Sequence, residues 1–586
     1  MFSEDYTAYR RQYLLTTIIP SLVVPLFGTT LLVKFLLGDV PWSLLFLLRL
    51  LSVPTWGAIR VWMEGSKQAR EAERLGAIEI PKVVGRWPGN LDIMISAMKG
   101  IKERYLQEYL DSLFEEYQTD TINLRLLWGD HIFTRDDNVI KCVVSSGFDK
   151  FERGRKLKEI CETVLGDGIF NTDGDTWRMH RAMTRPFFVK ERISDFEFFE
   201  QHTARTLDIL KGFGKTAIDA QDLFARFTLD TASSFLFGET LGTLLMPLPQ
   251  AGKAKLGPKG SAIEGEFGEF AQAFEEAQQL MSTRARLGNI WPLIEMFGDK
   301  TAKAVAAINR YLGPMVRTVL QENRQDQSSG YVKAGEETNF LQYMSKKIDD
   351  PKMIRDELLS ILLASRDSTS SLLTFVIYFL AQYPDVLARV REEVLTACPP
   401  GKVPAPEDLR QLEYLRAVLN ETLRLFPPVP IIPRASASKA TVIPRAKGKP
   451  YYMPASTPIF SIIFLLQRHA GIWGKDVNDF DPNRWLDERM DLVIKNPFIF
   501  LPFSAGPRVC VGQQFAINEA SFFLVRLLQE FDSFELTPEF QPEGSLPPAS
   551  WKKEGRGRAK VEKVWPATAL TLYAKGGLWV RFGKST

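Results

Sequence analysis

The sequence predicts a mainly α-helical fold with a small β region, set behind an N-terminal membrane anchor. Three observations carry this. Long stretches with helical apolar periodicity recur at 353–383, 408–426 and 514–531. Short β-like runs are confined to places such as 457–464 and 569–582. The N-terminus carries an uncharged run, 13–33, long enough to cross a bilayer core as a helix.

The anchor comes first in the chain. Pro20 and Pro25 would kink the run 13–33, which membrane helices tolerate. No small-residue cleavage site stands out, so the run reads as an anchor and not a removed signal. A second apolar segment, 40–62, has Arg49 at its middle and is interrupted by Pro54. A central arginine disfavours spanning and suits an interfacial helix, which Trp42, Trp56 and Trp62 also fit. Arg10 and Arg11 precede the first segment, and Arg60, Lys67 and Arg70 follow the second. Those later cations draw the large domain to the cytosolic side whether one segment spans or two. The expected organisation is an anchor over 1–65, a Pro/Gly-punctuated linker over 66–89 and a catalytic domain over 90–586.

The 586 residues are 45% hydrophobic, ample for a large buried core. A net charge of +3 does not point to nucleic acid. Cys142, Cys161, Cys398 and Cys510 form no metal or disulfide spacing, which argues for a reducing compartment. The four histidines leave no His-rich metal site. The polar stretches 246–266 and 322–338 read as exposed loops. A third, 541–566, clusters Lys552, Lys553, Arg556, Arg558, Lys560 and Lys563. It reads as a solvated loop, or as a contact for anionic lipid or an acidic partner.

The most specific signal is Phe503-Ser504-Ala505-Gly506-Pro507-Arg508-Val509-Cys510-Val511-Gly512. Its glycines permit tight turns and close approach of a flat ligand. Arg508 offers a cation, and the helical run that follows puts Cys510 near a helix N-terminus, which favours a thiolate. A thiolate so held is the axial ligand that pushes electron density onto haem iron. The stretch resembles the haem loop of the cytochrome P450 family, and Phe503, Arg508 and Gly512 fall on its fixed positions. The run 512–521 looks like that of membrane-bound fungal hydroxylases of alkanes and fatty acids.

Other motifs follow in the family's order. Glu421 and Arg424, three apart on one helix face, can pair. In the family a matching Glu, Arg and downstream Arg form a buried triad bracing the cysteine loop, here Glu421, Arg424 and Arg484. Polar residues grouped inside an apolar helix, Ala364-Ser365-Arg366-Asp367-Ser368-Thr369, need a reason. A bond from Ser368 to the Ala364 carbonyl can open a local bulge that makes room for O2 and water. Asp367 with Ser368 or Thr369 then relays protons, and the residues leave open which hydroxyl works. Trp177 and Arg181, four apart, can meet one haem edge. The resemblance gives them a propionate contact, with Arg434 a second cation and Arg508 a third.

The resemblance implies a cytochrome P450-like fold, haem b, and a monooxygenase that inserts one atom of O2 into a hydrophobic substrate. The first choice is hydroxylation of long-chain alkanes or fatty acids. The alternatives are oxidation of aromatic or terpenoid xenobiotics, or a reductase-independent haem-thiolate isomerase. Electrons are expected from a separate NADPH-dependent flavoprotein reductase, docking near Arg178, Arg181, Arg185 and Lys190. The implied location is the endoplasmic reticulum membrane, with the catalytic domain facing the cytosol. Pocket walls are expected from 148–170, 363–368, 429–433 and 575–578.

Overall fold

The computed structural model describes residues 4–188, 196–257, 269–329 and 339–584. One helix organises it. Pro351–Leu380 starts at Asp350, whose side chain accepts from the Lys352 amide, with Pro351 at the first turn. Its first half (Ile354, Leu358, Leu359, Leu362) packs in one apolar cluster with the helices Glu269–Leu287 and Ala302–Ser329. Its second half (Leu372, Phe375, Phe379) packs in another with Ala220–Phe237, Glu413–Leu425 and Gln513–Glu530. The polar stretch 364–369 falls where one cluster gives way to the other.

The β structure is small and peripheral. A five-stranded sheet runs Thr121–Asn123, Ile132–Thr134, Pro458–Ser461, Ile432–Ser436, Phe151–Glu152. Within it Ile132–Thr134 and Pro458–Ser461 are parallel and the other pairs antiparallel. A hairpin, Pro566–Ala569 with Thr571–Ala574, turns at Leu570, which sits at φ +72°. That is a strained conformation for a branched residue.

The predicted apolar run 13–33 lies within a continuous helical stretch, Tyr9–Leu37, and Pro20 is absorbed in a π-helical segment, Leu14–Val23. The second segment is a helix, Trp42–Arg74, reaching into the expected linker. Both are long and apolar enough to cross a membrane. Arg49 does not stand alone there: its Nε donates to Thr30 Oγ1 at 2.9 Å on the facing helix.

Two loop expectations are corrected. Residues 322–329 continue the helix Ala302–Ser329, and 330–338 lie outside the described residues, as does 258–266 of the earlier stretch. The basic C-terminal stretch is not uniformly solvated. Arg558 is buried, with its Nε 2.8 Å from Glu562 Oε1. Glu562 also accepts from the hydroxyls of Tyr105 and Tyr378, and Arg468 donates to Tyr105. Trp551 is buried beside them and donates to the Glu103 carbonyl at 3.0 Å. A buried arginine needs such partners, and the apolar pattern around it does not reveal them.

Candidate active site

The Cys510 loop is held from both ends. The Cys510 amide donates to the Phe503 carbonyl at 3.0 Å, and Val509 N to Gly506 O at 3.0 Å. Gly506 has φ +67°, and a Cβ there would sit 2.1 Å from the Val144 carbonyl oxygen. Gly512 is different, since a Cβ would meet only Phe188 at 3.9 Å. Gly506→Ala is therefore expected to cost roughly 2–4 kcal/mol, from left-handed strain plus overpacking. Gly512→Ala should leave the polypeptide's own stability nearly unchanged. Denaturant midpoints of the two variants check this, and equal losses would contradict it.

Cys510 lies just ahead of the helix Gln513–Glu530 and is exposed, unlike the buried Cys142, Cys161 and Cys398. It borders a cleft of about 620 Å³ between this loop and the helix Gly174–Thr184, lined also by Trp177, Arg178, Arg181 and Arg185. The sulfur opens onto this space while protein crowds its other sides. Burial pushes the thiol pKa up, outweighing the Gly512 amide and Arg181. A coordinating metal reverses that direction, because it deprotonates a thiol outright.

Four arginines gather beside the loop. Arg181 Nη1 donates to the Val509 carbonyl at 2.6 Å. Arg508 stacks over Trp177 with its Cζ 4.5 Å from the ring centroid, and its Nη2 donates to Asp173 at 2.6 Å. Arg434 is buried in the strand Ile432–Ser436, and its Nη1 donates to the Pro433 carbonyl. The fourth, Arg153, has no motif around it and the sequence reading missed it. Burial lowers the Arg434 pKa to about 9, and the charges of Arg508 and Arg153 add to the effect. Arg508 falls to about 10 through burial, with repulsion from Arg153 and Arg181 opposing Asp173. The Nε atoms of Arg153, Arg434 and Arg508 are buried without a hydrogen-bond partner among the described residues. Mutually repelling cations with unused donors beside an open thiol fit a metal-bearing ligand with two carboxylates.

A scan against family models matches "Cytochrome P450" over residues 86–556. The chain belongs to the cytochrome P450 family. It is 34% identical over 481 residues to cytochrome P450 monooxygenase himC of Aspergillus japonicus, covering 81% of this chain and 78% of the relative. It is 33% identical over 520 residues to cytochrome P450 52E1 of Candida apicola (87% and 93%). It is 34% identical over 465 residues to cytochrome P450 52A3-A of Candida maltosa (77% and 84%). The protein is thus a cytochrome P450 monooxygenase, and membership brings a haem-thiolate cofactor. The cation cluster and the open thiol fit that cofactor.

The remaining motif residues of this P450 fall in two groups. Glu421, Arg424 and Arg484 meet in the interior. Arg424 Nε and Nη2 each lie 2.8 Å from a Glu421 oxygen, and Arg484 Nε lies 3.5 Å from Oε1. Trp485 Nε1 and the Asp481 amide also donate to Glu421. Arg424 spends its other donors on the carbonyls of Gln467, Val477 and Asp479. Gln467 in turn accepts from the Leu501 amide, two residues before Phe503. Asn483 stays outside, accepting from Arg389.

The second group lies on the helix Pro351–Leu380. Ser368 Oγ donates to the Ala364 carbonyl at 2.6 Å, the bond the sequence suggested. The bulge expected from it is absent, because the helix stays α-helical from end to end. Ser365 likewise folds back on Ile361. In this otherwise buried stretch Leu363, Ala364, Ser365 and Ser368 are half-buried, and Ala364, Ser365 and Ser368 lie on one side of the helix. Asp367 is not simply a free acid. Arg366 Nη1 lies 3.2 Å from its Oδ1, and Arg366 Nη2 lies 2.6 Å from Glu275 Oε1 on the helix Glu269–Leu287. Thr571, just past the strained turn at Leu570, reaches Asp367 Oδ2 at 3.5 Å. Of the stretch 575–578, Lys575 lies against Trp565 and Leu578 is buried.

Thr369 turns the other way. Its Oγ1 and both oxygens of buried Glu519 have no hydrogen-bond partner among the described residues. Burial raises the Glu519 pKa well above the carboxylate range, and the Thr369 hydroxyl offsets little of it. The folded state therefore holds this proton more tightly than the unfolded chain. That contribution is fully present below the unfolded pKa of about 4.3 and is lost as pH rises toward the raised folded value. Relative to Glu519→Gln, the wild type should lose stability as pH rises above about 4.3. Melting curves of both proteins at rising pH read the difference, and parallel curves would sink the assignment. His180 is also buried, its Nδ1 3.1 Å from Glu357 Oε2.

Proposed function

We propose that this P450 carries haem b on Cys510 and hydroxylates long-chain alkanes or fatty acids drawn from its own membrane. When bound, the haem supplies the O2 chemistry: one oxygen atom enters a C–H bond and the other leaves as water, using two electrons and two protons. Cys510 would hold the haem iron. Arg153, Arg434 and Arg508 would hold the two carboxylates, with Trp177 as the platform under Arg508 and Arg181 tying down the loop. Phe503 and Gly512 bound the same loop. Glu421, Arg424 and Arg484 keep its foundation rigid.

Asp367 and Ser368 supply the protons in this reading. Ser368 uses its hydrogen on Ala364, so its lone pairs remain to accept from water. Arg366 and Thr571 hold the Asp367 carboxylate in place. Thr369, turned toward Glu519, serves packing.

The observation that carries the substrate class is the half-buried stretch Leu363, Ala364, Ser365 and Ser368 inside an apolar interior, on a chain with two membrane-length helices. The likeness of 512–521 to fungal alkane and fatty-acid hydroxylases supports the same choice. Adding alkanes, fatty acids and polycyclic aromatics to the purified haem protein tests it. The expected result is a substrate-induced absorption shift with the aliphatic compounds. A shift with aromatics alone would replace the reading.

Electrons come from a separate NADPH-dependent flavoprotein reductase at the endoplasmic reticulum membrane, with both catalytic domains in the cytosol. The exposed Arg178 and Arg185 rim the cleft beside Cys510 and suit an acidic partner. Lys190 lies outside the described residues. Reversing both charges, Arg178→Glu with Arg185→Glu, should slow reduction by about tenfold at low salt. Substrate-induced spectra should not change. Stopped-flow reduction at unchanged rate would remove the docking assignment.

A further inference from the structure

We infer that the two N-terminal helices form one transmembrane hairpin, with both ends on the catalytic side of the bilayer and residues 38–41 on the far side. Length permits it: the 29 residues of Tyr9–Leu37 span about 43 Å at 1.5 Å per residue, more than a hydrocarbon core of about 30 Å. The 33 residues of Trp42–Arg74 are longer still.

The helices are made for each other. They run antiparallel, joined by three hydrogen bonds spread along their length. Arg49 Nε donates to Thr30 Oγ1 at 2.9 Å near the turn. Trp56 Nε1 donates to the Pro20 carbonyl at 2.9 Å, inside the π-helical stretch where the proline disturbs the ladder. Arg60 Nη1 reaches Ser21 Oγ at 3.4 Å farther along. A cation within hydrocarbon needs a polar partner on a neighbouring helix. Thr30 gives Arg49 one, so the segment that looks unfit to span by itself is fit to span beside the first. The outward surface is apolar, with Phe35 86% and Trp42 75% exposed. Phe27, Leu31 and Leu47 are exposed with them, a surface that acyl chains match and water does not.

Both ends return to the catalytic domain. At the first, helix Glu4–Tyr13 touches Arg155–Leu165 and Trp291–Ile294, and the Tyr9 hydroxyl donates to Glu162. At the second, Gln68 Nε2 donates to Asp130 Oδ2 at 2.8 Å, and Glu71 accepts from Tyr452 at 2.8 Å. A single crossing would put the chain's start on the opposite face from the domain and break the first set. Charge agrees. Arg10, Arg11, Lys67, Arg70 and Arg74 cluster at the domain end, whereas Lys34 and Asp39 lie near the turn. This topology does not depend on the haem or substrate reading.

The test uses the full chain, inserted into sealed endoplasmic reticulum vesicles. One form carries an N-glycan acceptor on a flexible spacer between Asp39 and Val40. A second carries the acceptor before Met1, and a third, otherwise unaltered, carries an N-terminal epitope. Carbonate extraction establishes that each is membrane-inserted. The expected result is a glycan on the first form alone, with the epitope cleaved by protease added outside. A glycan on the second form with none on the first would mean one crossing and overturn the inference. No glycan on either, with the 39–40 insert cleaved from outside, would mean a hairpin lying in one leaflet and overturn it equally. The epitope result stands even if the inserts disturb the turn.

Discussion

Cys510→Ala is expected to abolish the red-shifted carbon monoxide absorption of the reduced protein and to bring turnover below detection. The chain should remain folded. Its sulfur borders an open cleft, so truncation leaves no new void in the packed interior. The contrast is with the other cysteines. Cys398 and Cys161 are buried among apolar side chains, and their alanine variants should lose stability while keeping the thiolate spectrum. Absorption spectra and melting curves of the three variants separate the roles. A Cys510→Ala protein that kept the sulfur-ligated spectrum would falsify the ligand assignment.

Glu421→Gln is expected to have the largest effect on stability. Glu421 faces two buried guanidinium groups and also accepts from Trp485 and the Asp481 amide. Removing its charge strands Arg424 in the interior, while Arg484 keeps Asp476 Oδ2 at 2.7 Å, at a cost of about 3–5 kcal/mol. The loss should extend to haem retention, because Arg424 and Gln467 hold the segment leading to Leu501 and the cysteine loop. Asn483→Asp, on the surface beside them, should be within about 0.5 kcal/mol of wild type. Urea midpoints and the haem-to-protein ratio check both. A Glu421→Gln protein that unfolds at the wild-type midpoint would show that the triad does not brace the loop.

Much of this architecture was legible because local chemistry and global fold agree at the decisive positions. The loop 503–512 has left-handed glycine geometry at Gly506, and no other residue type suits it there. The helix Pro351–Leu380 announces itself by the apolar periodicity over 353–383, which the polar stretch 364–369 interrupts. Glu421 and Arg424 are neighbours on one helical face, so spacing alone suggests their pairing. What stayed hidden depends on contacts between segments far apart in the chain. Arg153 joins Arg434 and Arg508 only when the strands near Phe151 and Ile432 pair. Glu275 meets Arg366 across two helices, and Thr571 meets Asp367 through a hairpin tip. Glu519 reads as a surface residue of an amphipathic helix until the fold closes over it. The missing bulge at 364–369 has a simpler cause. Hydroxyls of Ser365 and Ser368 share carbonyls of the preceding turn without displacing the backbone bonds.

The buried knot of Arg558, Glu562, Tyr105, Tyr378 and Arg468 has a practical bearing on handling the protein. Although 541–566 resembles a dispensable surface insert in composition, deleting it would remove Glu562 together with Arg558 and leave Arg468 among aromatic rings without that nearby anion. Shortened forms should therefore be cut ahead of Ile78 and left intact at the carboxyl end, and purification tags belong after the final strand, Trp579–Lys584.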